Sequence, residues 1–397
     1  MQPLDISHMC IVSSAGFGQA ATLAALESGR SGLLPCDFET ANLPTWTGEI
    51  EALDNIRLPT AFATFESRNN RLAEIALAQD GFADAVRGAI ERYGASRIGL
   101  FVGTSTSGIL QSEQAYRACD AVTGTLPAHF RYEQTHNTGS LAAYLRARLG
   151  IMGPAYVISC ACASSAKAFG NASRMIAAGM CDAAVVGGAD SLCLTTLYGF
   201  HSLNLNAPGP CRPFDVNREG ISIGEAAGFV LLERPSPHDD TSGVQVLGIG
   251  ESNDAHHMSS PHPEGAGARL AMERALSSAG LTPDGIDYIN LHGTATRVGD
   301  AAEDIAVFSV FGDSPARGST KGLTGHTLGA AGIVEAIISV LAIRNNLLPG
   351  SPHTQTIDPA FRGQYQLVSE AARIDRVLSN SFGFGGSNCS LILGRPR

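Results

Sequence analysis

A cysteine stands where strand-forming residues give way to helix-forming ones. Residues 154–159 read as a short buried strand, and from Cys160 through Cys162 a run of small residues opens a helix reaching about Ala178. A thiol at a helix N-terminus feels the positive end of the backbone dipole, which favours thiolate and so nucleophilic attack. Two histidines offer a different chemistry. His292 opens H-G-T-x-T-x-x-G-D (292–300) after a strand-like run at 286–290, and His326 lies in K-x-x-T-G-H-x-L-G-A-A-G (321–332) ahead of an apolar helix at 333–343. Glycine beside each permits sharp turns and close approach of a ligand. A fourth segment, N-S-F-G-F-G-G-S-N (380–388), is a Gly-rich turn between two strand patterns. Alone, none compels catalysis, because a buried cysteine is usually a small packing residue.

Cys160 and Cys162 have the look of half a metal site, but no second pair or nearby histidine in sequence completes it, and no metal is expected. The lysine usage is pointed. Of 27 basic residues only Lys167 and Lys321 are lysine, and one of them falls in the second histidine motif. A compact, rotatable ammonium suits a buried turn where a planar guanidinium does not.

The elements that must position these residues read as βα-rich halves. The Pro-, Asp- and Gly-rich link at 234–243 interrupts a strand pattern ending at Leu232 and precedes another at 244–249, which gives halves at 1–238 and 243–397. No sequence repeat relates them. With 397 residues and 44% hydrophobic content the chain can bury a large core. It contains no uninterrupted apolar run of about 18 residues, and its first residues lack a basic secretion signal. Nine scattered cysteines argue against a disulfide framework and for a reducing, cytoplasmic setting. A net charge of −10 excludes nucleic acid as an expected partner.

Taken together, the four segments resemble the β-ketoacyl synthases of fatty-acid and polyketide synthesis, within the thiolase superfamily, and specifically the elongating Cys-His-His class. R-P-F-D at 212–215, G-E-A-A-G at 224–228 and N-D-A-H-H-M at 253–258 add weaker agreement. The resemblance implies an α/β fold of five layers, α-β-α-β-α, internally duplicated, with the site where the halves meet. It implies a decarboxylative Claisen condensation between an acyl chain and malonyl-acyl carrier protein. Cys162 would be the nucleophile, His292 and His326 the hydrogen-bond donors to an enolate, and Lys321 with Glu335 the pair that fixes them. The backbone N–H groups of Cys162 and Phe384 would form the oxyanion hole. Thr294 and Thr296 would hold the phosphopantetheine arm, so no intrinsic cofactor is expected. Phe384, facing Asp254 and His257, would gate the acyl pocket, and Arg68, Arg71 and Arg212 would dock the acidic carrier protein.

The resemblance also implies a homodimer, with a heterodimer beside a diverged partner left open. Two other readings are weighed: a non-catalytic chain-length factor, which usually lacks the nucleophile, and thiolysis on coenzyme A, which lacks the Lys-x-x-Thr-Gly-His pattern. Departures from the family pattern bear on substrate. The hydroxyl-rich segment 104–108 replaces glycines, and Thr106 aligns with a bulky isoleucine of long-chain relatives. A roomier, more polar acyl pocket is the expectation.

Overall fold

The computed structural model describes residues 1–235 and 243–396, so the end of the expected first half at 238 and the residues up to 242 lie outside the described residues. In chain order the principal strands are β1 (Leu4–Ser13), β2 (Ile98–Gly103), β3 (Ala155–Ile158), β4 (Ala183–Asp190), β5 (Ala226–Glu233), β6 (Gln245–Asn253), β7 (Tyr288–Asn290), β8 (Ala316–Gly318), β9 (Arg376–Gly383) and β10 (Ser387–Gly394). They lie side by side as β8-β7-β9-β10-β6-β1-β5-β4-β2-β3. The junction between β1 and β6 is only two residue pairs long, Leu4 with Val246 and Asp5 with Gln245. Two mixed sheets therefore meet at one corner.

The two sheets share one topology. In the first, β5 runs antiparallel to β1 and β4, while β2 runs parallel to β4 and β3. In the second, β10 runs antiparallel to β6 and β9, while β7 runs parallel to β9 and β8. The halves are thus duplicated in structure although no repeat survives in sequence.

Helices complete the layers. The outer face of the first sheet is covered by α1 (Arg68–Leu77), α2 (Phe82–Tyr93) and α3 (Gly139–Leu149), whose apolar side chains form one core with β2, β4 and β5. The outer face of the second is covered by α5 (Ala266–Ala279) and α6 (Arg297–Phe311). Between the sheets lie α4 (Ser164–Ala177) and α7 (Ala331–Asn345), in a core that draws residues from both. Every residue from Ala331 to Ile343 is buried. The segment Leu328–Asn345 is long and apolar enough to cross a membrane by composition, yet 89% of it is buried within the protein. The central helices touch where Gly332 meets Ala166; a Cβ at Gly332 would lie 2.6 Å from the Ala166 nitrogen.

Two local expectations need correction. β3 is an edge strand, paired only with β2 among the described residues, and it is half-buried rather than buried, with the Tyr156 ring exposed. The helix after it begins at Ser164 instead of Cys160. Ala161 adopts φ +48°, a left-handed turn that stops the strand and aims Cys162 before the helix starts.

Candidate active site

Cys162 lies at the elbow between β3 and α4. The Cys160 amide donates to the Ser164 hydroxyl, which in turn donates to the Ala161 carbonyl, so the elbow is tied to the first turn of α4. Gly383, at the end of β9, passes against it: a Cβ there would meet the Cys160 carbonyl at 2.9 Å and the Cys162 nitrogen at 3.2 Å. This close approach requires glycine at 383, while Gly385 and Gly386 have positive φ of +79° and +72°. It also brings the Phe384 N–H to the Cys162 sulfur as a donor.

His326 Nε2 lies 2.9 Å from Cys162 Sγ. The backbone of His326 is held by residues 222–224, since its amide donates to the Ser222 carbonyl at 2.7 Å and its carbonyl accepts from the Gly224 amide at 3.0 Å. His292 follows β7, and the two imidazole rings meet edge to face with centroids 5.3 Å apart. Its amide and that of Gly293 both donate to Glu303, at 2.7 Å each, and Asn380 donates to the same carboxylate at 3.2 Å. The Lys321 ammonium contacts the Glu335 carboxylate and the His292 carbonyl, and lies 3.4 Å from His292 Nδ1. An ammonium can only donate, so Nδ1 accepts and the His292 proton resides on Nε2, facing the cavity.

Electrostatics keep this centre neutral at rest. Burial, reinforced by Lys321, holds both imidazoles well below the ordinary histidine range. Burial also pushes the Cys162 thiol up to about 12, against the pull of Lys321 and of the Phe384 N–H. The thiolate expected from the helix dipole is therefore not the resting form; desolvation outweighs the dipole. Burial raises Glu335, and Lys321 opposes it. One ligand atom from each of Cys162, His292 and His326 lies within 4.8 Å of the others. Cys160, set aside in the sequence as half of a metal site, is not part of this group.

The three side chains line a cavity of about 320 Å³. Thr294 and Thr296 line it too, their hydroxyls 3.0 Å apart. Their loop is pinned by Asp300, which accepts from the amides of Ala295 and Phe214. Asp254 lines the cavity and latches the glycine turn, accepting from Asn388 at 2.7 Å and from the His262 amide at 3.0 Å, while its own amide donates to Gly386. Phe384 is partly exposed and packs on Phe200 at 5.6 Å.

Several expected site residues fall elsewhere. His257 is exposed and absent from the cavity lining; its ring accepts from the Ser259 amide. Arg68 is 1% exposed and bound to Glu225 through two nitrogens, so it cannot meet a carrier protein. Arg71 is largely buried too, paired with Glu66 and donating to the Leu53 carbonyl. Arg212 is the one of the three near the mouth, 3.7 Å from Glu219 on the cavity wall. Thr106 is 1% exposed, outside the cavity lining, with its hydroxyl donating to Asp190 and accepting from the Ser191 amide. It is a brace rather than pocket wall, so the argument for a roomier pocket loses its residue.

Sequence reasoning missed three supporting groups. Glu303 sits three residues after Asp300, a spacing that places both carboxylates on one helix face and was readable. Phe200 lies in a helix with no motif around it. Asp190 ends β4, and its carboxylate accepts from Thr104, Ser105, Thr106 and the Gly329 amide. The hydroxyls of Thr104, Ser105 and Thr106 all donate to it.

A thiol, two neutral imidazoles and N–H donors converge on one cavity of a duplicated five-layer scaffold, an arrangement suited to nucleophilic chemistry at sulfur. Residues 60–238 match the beta-ketoacyl synthase N-terminal domain and residues 244–355 its C-terminal domain, and the chain belongs to this family. It is 33% identical over 98% of both chains to 3-oxoacyl-[acyl-carrier-protein] synthase 2 of Vibrio cholerae. It is 43% identical to the synthase 2 of Rhizobium meliloti and 39% to a mitochondrial synthase of Arabidopsis thaliana, over 64% and 63% of this chain; these matches span 64% and 58% of the relatives' lengths. Among solved structures, a ketosynthase (ApeO) in complex with its chain length factor, from Xenorhabdus doucetiae, matches with TM-score 0.88 and 38% identity over 100% of this chain and 98% of that one.

Proposed function

We propose that this chain catalyses the decarboxylative condensation of an acyl chain with malonyl-acyl carrier protein, lengthening the chain by two carbons. The observation that carries the reading is the convergence of Cys162 Sγ with two neutral imidazoles at one cavity. In the first step the Cys162 sulfur bonds to the acyl carbonyl carbon and the bond to the pantetheine sulfur breaks; the thiol proton ends on the departing sulfur. The N–H groups of Cys162 and Phe384 stabilise the tetrahedral oxyanion. In the second step the malonyl carboxylate leaves as carbon dioxide, and its electron pair forms an enolate. The Nε2–H groups of His292 and His326 stabilise the enolate oxygen, and the enolate carbon bonds to the acyl carbonyl carbon as the bond from that carbon to the Cys162 sulfur breaks. One proton is consumed in restoring the Cys162 thiol. Lys321 and Glu335 act through His292, holding its proton on Nε2.

Thr294 and Thr296 are the hydroxyls for the pantetheine arm, and Phe384, latched through Asp254, is the gate. In place of Arg68 and Arg71, the carrier-facing cations are Arg297, which lines the mouth, and Arg212 beside it. The halves 1–238 and 243–397 contribute the nucleophile and the histidines respectively. Nine free thiols support a reducing cytoplasm. Full-length similarity to a ketosynthase solved with its chain length factor supports a synthase-like partner subunit, ahead of a homodimer. Retention of Cys162 argues that this chain is the catalytic subunit of such a pair.

The test is malonyl-carrier decarboxylation beside acyl loading. Cys162→Ala should lose loading and condensation yet keep decarboxylation, whereas His292→Ala and His326→Ala should load acyl chains and release no carbon dioxide. Loading on Cys162→Ala, or thiolysis of 3-oxoacyl-coenzyme A by the native chain, overturns the reading.

A further inference from the structure

We propose that Asp190 is the positioning residue for His326, holding that ring through its backbone as Lys321 holds His292 through its Nδ1. The two imidazoles are not supported alike. His292 Nδ1 lies 3.4 Å from the Lys321 ammonium, whereas His326 Nδ1 is buried and has no hydrogen-bond partner among the described residues. A working imidazole is ordinarily oriented by a third group at its far nitrogen. With none there, the orientation of His326 falls to the chain on either side of it.

On one side, residues 222–224 bracket the His326 peptide groups. On the other, the chain turns through Leu328 at φ +51°, a left-handed conformation that a non-glycine residue keeps only when its surroundings impose it. Asp190 imposes it. Its Oδ2 accepts from the Gly329 amide at 2.6 Å, and a Cβ at Gly329 would lie 2.7 Å from that oxygen, so only glycine admits the carboxylate this closely. The carboxylate is itself fixed. It is fully buried, and Oδ1 accepts from the amides of Ser105 and Thr106 at 2.8 and 3.0 Å and from the hydroxyls of Thr104 and Thr106 at 2.6 and 3.0 Å. Further on, the Ile333 amide donates at 3.0 Å to Ser165 Oγ, in the first turn of α4. The turn after His326 is thereby set against the helix that follows Cys162, the residue His326 Nε2 faces at 2.9 Å.

The consequence for catalysis rests on the proposed role of His326; the placement of the ring does not. Asp190→Asn separates positioning from general support. Hydroxyls can reverse a hydrogen bond and amides cannot, so an NH2 group at Oδ1 would confront two amides and at Oδ2 chiefly one. The asparagine should turn its NH2 to Gly329 and release the turn after His326. In the Cys162→Ala background this should lower kcat for malonyl-carrier decarboxylation about tenfold or more and leave KM within about threefold, the mark of an interaction needed only in the transition state. Thr104→Val is the control. It takes a hydroxyl from Oδ1 without touching Gly329, so it should melt at lower temperature yet decarboxylate within about threefold of its parent. The ring itself is read without turnover by nitrogen NMR of histidine-labelled protein, with His326 assigned through His326→Gln. The native chain should show a single Nε2–H tautomer, and Asp190→Asn an exchanging mixture. The native spectrum needs no Asp190 variant and decides the question even where Asp190→Asn does not fold. Two tautomers in the native chain, native kcat in a folded Asp190→Asn, or an equal loss in Thr104→Val overturns the inference. The expected spectra from a chain that releases no carbon dioxide uphold the placement and remove the functional reading instead.

Discussion

At the residue scale the site combines groups whose charge has been suppressed by burial with one ammonium that sets their proton positions. Protonation of either imidazole would place a cation and an acidic proton beside a carbanion-like carbon. Because both histidines titrate well below the usual range, decarboxylation by Cys162→Ala should stay flat from pH 8 to the ordinary histidine pKa of about 6.5 and fall only below it. Carbon dioxide release against pH measures this, and an acid limb centred above about 6.5 would contradict the burial argument. Lys321→Arg keeps the charge but puts a planar fork where a compact donor reaches His292 Nδ1, the His292 carbonyl and Glu335 at once. It should cost the decarboxylation step about 3 kcal/mol, comparable to loss of one oxyanion-type donor, and leave acyl loading largely intact. Single-turnover loading followed by a decarboxylation assay separates the two steps. Cys160→Ala, outside the cluster, should keep most activity.

At the element scale the decisive features are junctions. The end of β4, the loop at 104–106 and the short turn after His326 are tied together by one buried carboxylate, Asp190. Asp190→Ala would strand buried donors, each costing about 1–3 kcal/mol when unpaired. A clear drop in denaturation midpoint should accompany at least a tenfold fall in kcat, because Gly329 sits three residues beyond His326. Thr106→Phe would drive a large ring into this brace rather than into the acyl cavity. Overpacking of about 1–3 kcal/mol is expected, with no change in chain-length preference among the molecules that still fold. Loading across carrier-bound chains of increasing length, read with the melting curve, checks both halves of that statement.

For the whole molecule, the two sheets are joined edge to edge only at a corner, and the central helices α4 and α7 belong to both. A chain ending at residue 238 would keep α4 but lose the helix that covers it. Expressed alone it should be insoluble or lack cooperative thermal unfolding, and circular dichroism with a melt tests this. Gly332→Ala probes the same contact inside the intact chain, since its Cβ would lie 2.6 Å from backbone at Ala166. Destabilisation of about 1–3 kcal/mol is expected although alanine is the better helix former.

The sequence by itself determined the chemistry and its neighbourhoods. Cys162, His292, His326 and Lys321 stood out through local features, a strand-to-helix elbow, glycine turns and the placing of one of only two lysines, whereas Glu335 and Phe384 entered through the family resemblance. The βα-rich halves were legible from strand and helix patterns, and the layered arrangement only through the family resemblance. What only the tertiary structure decided were quantities set by distant chain. Burial raised the Cys162 thiol against its helix dipole, since desolvation depends on what the other half of the molecule packs over it. Arg68 was expected to dock the carrier protein and proved to be a buried partner of Glu225, 157 residues away. Thr106 looked like pocket wall and proved to serve Asp190, 84 residues away. A charge or a hydroxyl in a sequence carries no record of its partner; only the fold supplies one, and with it the dielectric in which the group must act.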